Sequence, residues 1–147
     1  MDDRFGVVLD PRVARVKYEQ QVNVVRSMAA SRGWRIIRAE YPELLVEVRP
    51  ALAVLVCCRN YDFVAPSVLL VDPANETPLA LAEIHRRRGR PGVPNLGVHP
   101  VTDQPFFCIE GFWEYHDHFS HYNNPWLVHR RIRPLSQSLE RVCQLLT

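Results

Sequence analysis

The chain has 147 residues, of which 47% are hydrophobic and 23% charged, enough apolar material for one substantial core but too little length for two ordinary domains, so a single domain over 1–147 is expected. Its 18 basic and 16 acidic residues leave a formal charge of +2, too even a balance for nucleic-acid binding by bulk electrostatics. No apolar run approaches the roughly 18 residues of a membrane span, and residues 1–10 carry early acids in place of a signal-peptide core; a cytoplasmic protein with no membrane partner is expected.

From Pro11 to Ser31, the apolar residues Val13, Val16, Val24, Val25 and Met28 recur at helical spacing. Pro11 suits a first helical position and Gly33 ends the pattern, so one amphipathic helix is predicted. Its polar face carries Arg12, Arg15, Lys17 and Arg26, either a solvated face or a docking surface for a protein partner. Four short runs follow, 34–39, 44–48, 51–59 and 67–71, rich in β-branched and bulky residues and separated by Pro42, Pro50, Asn60 and Pro66. They predict an antiparallel meander. The adjacent Cys57 and Cys58 sit in the third run and do not resemble a spaced disulfide framework, so reduced, structural thiols are expected.

Residues 72–100 read as loop, with Pro73, Pro78, Pro91 and Pro94 around the basic run from His85 to Arg90 and a short helix near 79–85. The arginines suggest a solvated cluster, or a contact to phosphate or an acidic surface. Near the end, Leu135, Leu139, Val142, Cys143 and Leu146 recur at helical spacing and predict a packing helix. The whole is a mixed α/β (α+β) pattern.

Chemistry concentrates between His99 and Asn124. Cys108 lies in an apolar setting, Phe106-Phe107-Cys108-Ile109, and Glu110, His116, His118, His121, Asn123 and Asn124 follow. Two mechanisms suit these residue types. Cys108 is a nucleophile whose thiolate a nearby histidine favours, with histidine, amide or carboxylate groups assisting an incoming amine. Alternatively Cys108, Glu110 and two histidines from among His116, His118 and His121, with His116 and His121 the preferred pair, hold a tetrahedral zinc ion, with thiolate, carboxylate and imidazole as ligands. A third reading leaves the cysteine buried and makes the chain a binding module that uses its basic residues.

The order of helix, meander, Pro-rich loop, His-Pro, cysteine and final helix resembles the ubiquitin-conjugating enzyme fold. In that family a His-Pro-Asn motif precedes the catalytic cysteine by about ten positions; here His99-Pro100-Val101 precedes Cys108-Ile109 at nearly that separation. The resemblance implies that Cys108 accepts the C-terminus of a ubiquitin-like protein from an activating enzyme as a thioester and passes it to an amine of a target protein. It also implies that His99 and Pro100 shape the active-site turn, that the first helix docks the activating enzyme, and that no cofactor is needed. Val101 stands where the family has asparagine, so a substitute donor is sought among His116, His118, His121, Asn123 and Asn124. Divergent bacterial conjugating enzymes of antiphage modification systems fit the pattern better than eukaryotic ones. The Cys-Glu-His-His order is also similar to a bacterial family predicted to bind metal, which points to a non-catalytic zinc accessory protein of such a system.

Overall fold

Helix α1 (Pro11–Arg32) begins where Asp10 accepts the Arg12 amide at 2.9 Å and Pro11 pre-sets the first turn. It ends at Gly33, whose left-handed conformation (φ +69°) returns its N–H to the Ala29 and Ala30 carbonyls. The computed structural model describes residues 10–61, 63–118, 121, 123, 125–130 and 134–147. The buried face of α1 is Ala14, Tyr18, Val22, Val25 and Ala29. The expected apolar stripe is therefore corrected in phase: Val25 is in the core, but Val13, Val16 and Val24 face water, Val16 at 54% exposure. Two alanines and an amphipathic tyrosine do the work assigned to valines. Small side chains let the helix approach the sheet, and Tyr18 buries its ring while its hydroxyl donates to the Glu43 carbonyl at 2.6 Å.

Strands β1 (Arg35–Glu40), β2 (Glu43–Arg49), β3 (Leu52–Cys57) and β4 (Ser67–Val71) form the expected antiparallel meander, in the order β1-β2-β3-β4. Alternation places Leu44, Val46 and Val48 of β2, Leu52, Val54 and Val56 of β3, and Val68 and Leu70 of β4 in the main core. That core also takes Tyr18, Val22, Val25 and Ala29 of α1 and residues of the last helix. The opposite face carries a smaller cluster, Leu45, Ala53 and Val71, flanked by Ile37, Leu55 and Leu69.

The stretch expected as loop over 72–100 contains two elements. Helix α2 (Leu81–Arg88) runs one turn beyond the short helix expected near 79–85, and β5 (Leu96–Val98) pairs antiparallel with β6 (Pro105–Phe107). The basic run is solvated only in part, with Arg86 and Arg90 exposed. Arg86 and Arg87 both hold Glu83, Arg87 also holds Asp72, and buried Arg88 donates through Nε to the Leu146 carbonyl at 3.3 Å. Arg90 reaches the Thr147 carbonyl at 2.9 Å. These donors are spent on the fold.

Two one-turn helices, α3 (Trp113–His116) and α4 (Trp126–His129), follow the hairpin, and α5 (Leu135–Leu146) closes the core. All five residues of the predicted α5 stripe are buried, and Ser136, Ser138 and Leu145 are buried with them. Arg32 joins α1 to α5 through Glu140 at 2.7 Å. Among the described residues, no helix is long and apolar enough to cross a membrane.

The phase of the two long helices is testable by denaturant unfolding. Leu139→Ala, at a site with no exposure, is expected to cost about 2–5 kcal/mol, whereas Val16→Ser should change stability by less than about 0.5 kcal/mol. Equal costs would mean that the buried face of α1 is wrongly assigned.

Candidate functional site

The site is built on the β5–β6 hairpin. His99, at its tip, has no exposure. Its Nδ1 accepts the amides of Val101 (3.2 Å) and Thr102 (3.4 Å), while its backbone N–H donates to Gln104 and its carbonyl accepts from Asp103, both at 2.9 Å. The ring lies edge-on to Phe106 and tilted against Trp113, with centroids 5.1 and 5.7 Å away. Side chain and backbone of one residue thus tie the whole 99–104 turn. Pro100 and Val101 project outward, Val101 at 74% exposure.

Cys108 leaves β6 immediately after that turn. Its amide donates to Asn95 at 2.8 Å, and the Ile109 amide turns back to Phe107 at 2.8 Å. The thiol is half-buried, with Sγ 3.2 Å from Nε2 of His121. Burial pushes its pKa up from the ordinary thiol value. Burial thus favours the neutral thiol, and the contact with the imidazole nitrogen gives its proton a neighbouring base to pass to as a reaction proceeds. His121 is held by Tyr115, stacked on its ring at 3.9 Å and 16°. Two other cysteines lie deeper: burial lifts Cys143 to about 12 and Cys58 further, as expected of structural thiols.

Helix α3 is fixed to the sheet by Glu114, a buried carboxylate that accepts the Ser67 hydroxyl at 2.6 Å and the Val68 amide at 3.0 Å. The Trp113 amide adds a bond to the Pro66 carbonyl at 2.9 Å. Between Cys108 and α3 the chain passes close to α5. Ser138 donates to the Glu110 carbonyl at 3.1 Å, and Gly111 (φ +105°) leaves no room for a Cβ, which would lie 2.1 Å from the Ser138 hydroxyl. Only glycine combines that conformation with that approach.

Of the three histidines singled out in the sequence, His121 is the one paired with the thiol. His116 turns its Nε2 to the Gly111 amide at 3.1 Å and its ring toward Trp126. His118 stacks near Phe106 and stands 5.7 Å, centroid to centroid, from His121. Glu110 meets the Tyr115 hydroxyl at a long 3.5 Å. Asn123 is exposed, and Asn124 lies outside the described residues. Among the described residues, no three His, Cys, Asp or Glu side chains gather as a metal-ligand group. The basic residues of α1 divide: Arg15 and Arg26 line a groove shared with Tyr41, Arg15 lying 5.4 Å over that ring, while Arg12 and Lys17 border the exposed valines 13 and 16. Tyr115, Glu114, Gly111 and Ser138 had no assigned role in the sequence. Only the glycine, placed between Cys108 and a helix start, carried a local signal.

An α+β protein with a cysteine–histidine pair at the exit of a hairpin strand is thus defined. The chain belongs to the Y4jH-like family, whose pattern, described as Y4jH family, matches residues 9–101 and 96–140. The second stretch contains Cys108 and His121. The chain is also similar to a Sinorhizobium fredii protein described as "Uncharacterized protein y4jH", with 29% identity over 154 aligned residues, covering 83% of this chain and 75% of that one.

Two outcomes follow from this geometry. Gly111→Ala is expected to cost about 1–3 kcal/mol through clash and backbone strain together, more than Gly92→Ala, where φ is +76° but the space is open; thermal unfolding of the pair checks it. Because burial raises the Cys108 pKa, its alkylation by iodoacetamide, followed by peptide mapping, should keep rising with pH through the ordinary thiol range near about 8.5. A plateau already reached in acid would show a preformed thiolate instead.

Proposed function

We propose that the protein is a conjugating enzyme of a bacterial ubiquitin-like modification system, which carries an acyl group as a thioester on Cys108 and transfers it to an amine. The observation that carries this reading is the 3.2 Å approach of Cys108 Sγ to His121 Nε2 directly after a turn organised by buried His99. The order of elements, with α1 and the meander before the turn and α5 after it, supports the same reading.

In the first step Cys108 Sγ attacks the carbonyl carbon of an incoming thioester while His121 takes the thiol proton. The new carbon–sulfur bond forms as the donor's carbon–sulfur bond breaks, and the departing thiolate recovers a proton from His121. In the second step an amine nitrogen attacks the Cys108 thioester, its surplus proton passes to His121, and Cys108 leaves as the thiolate and is reprotonated. The valine side chain at 101 supplies no carboxamide, so the oxyanion donor in this scheme comes from the histidine-rich segment, where the His118 ring stands 5.7 Å, centroid to centroid, from that of His121. The exposed valines and basic residues of α1 serve as the docking face for an activating enzyme. The reaction belongs to a cytoplasmic setting with a ubiquitin-like protein as donor and a second protein as acceptor.

Incubation with a small peptide thioester, read by intact mass and peptide mapping, tests the chemistry without knowledge of the modifier. A thiol-reversible acyl adduct on Cys108 is expected, lost in Cys108→Ala and slowed about 10²-fold in His121→Ala. Absence of the adduct, together with stoichiometric zinc that is lost when Cys108 and His121 are both replaced, would favour a zinc-holding accessory protein.

A further inference from the structure

His121 serves two neighbours. One is the thiol; the other is a cavity of about 340 Å³ whose walls include Phe63, Ala65, Trp113, Trp126 and Leu127. This volume is at the small end of ligand pockets, which run from about 300 to 1,000 Å³. It suits one bulky side chain better than a folded element. Phe63 and Leu127 are 41% and 51% exposed, so large apolar surface stands in water at the cavity. Asp117 is its lining carboxylate, and no lysine or arginine is among its described lining residues, which disfavours an acidic occupant.

Building on the thioester reading above, we propose that this cavity is a side-chain subsite for the acyl donor and receives a leucine-sized or aromatic residue close to the carbonyl that Cys108 attacks. The shared imidazole wall commits the occupant. A chain joined to Cys108 starts beside the imidazole that lines the cavity, whereas a freely docking partner has no such reason to be there. His121, which meets Sγ at 3.2 Å, is itself part of the cavity wall. An extended chain advances about 3.3 Å per residue, so the residue two before the one bearing the carbonyl is in reach. His116, held by the Gly111 amide, is also part of the lining and keeps that wall in place.

The probes are N-acetyl-Xaa-Gly-Gly thioesters of mercaptoethanesulfonate, with Xaa as Leu, Trp, Ala or Asp and the glycines as spacers without side chains. The leucine or tryptophan probe is expected to acylate Cys108 at least about tenfold faster than the alanine probe, the discrimination that one or two methylenes give in an apolar pocket, and the aspartate probe should be slowest. Phe63→Ser and Leu127→Ser, both at partly exposed positions that tolerate polar groups, should bring the leucine-to-alanine ratio close to one. Acylation of Cys108 at equal rates by all four probes would overturn the subsite and leave the thioester chemistry standing. Selectivity that appears only when the attacking amine is varied would overturn it too, by giving the cavity to the acceptor. If no probe acylates Cys108, both readings fall.

Discussion

A carboxylate withdrawn almost wholly from water is the constraint on which the site depends. Buried Glu114 is tolerable because it accepts from the Ser67 hydroxyl and the Val68 amide at the entry to β4. The same bonds tie a helix of only four residues to a four-stranded sheet. So short a helix has little stability of its own. Its position is borrowed from the sheet, and Tyr115 and His116, the next two residues, take theirs from it.

From this anchor the order of the site spreads by contact. Tyr115 presents its face to His121, whose far nitrogen meets Cys108; His116 receives the Gly111 amide and steadies the loop between the thiol and α3. The opposite wall comes from the hairpin, where His99 gathers two amides on one nitrogen and packs its ring against Phe106 and Trp113. Two histidines are thus mainly architectural while a third faces the thiol, although all three are the same residue type within a short span of sequence. What distinguishes them is which hydrogen-bond partner the surrounding fold offers.

Much of the fold was legible because its elements obey a period. The meander follows from alternating β-branched runs separated by proline and asparagine, and the stripe from Leu135 to Leu146 identifies α5 directly. The first helix was legible in extent but not in phase: valines looked like the core face, yet the tight packing against the sheet selects Ala14 and Ala29, and Tyr18 gains a backbone partner that no periodicity reveals. The arginine run was legible only in part for a related reason, since Asp72 and the Leu146 carbonyl meet Arg87 and Arg88 only after folding, while Arg86 and Arg90 stay exposed. Cys108 and the histidine cluster stood out by composition. The pairing of that thiol with His121 in particular was not legible, because it depends on how Glu114 and Ser138 fold the intervening loop.

The contact between Ser138 and the Glu110 carbonyl bears on the order in which the chain is made. Synthesis delivers Cys108 well before α5, and the loop beside the thiol rests against that helix through the tightest approach at Gly111. A nascent chain therefore displays the cysteine before it has the surface that shapes its surroundings. The surroundings of the thiol are completed only when a distal helix docks, so the local structure at Cys108 depends on the last element of the described fold to be synthesised.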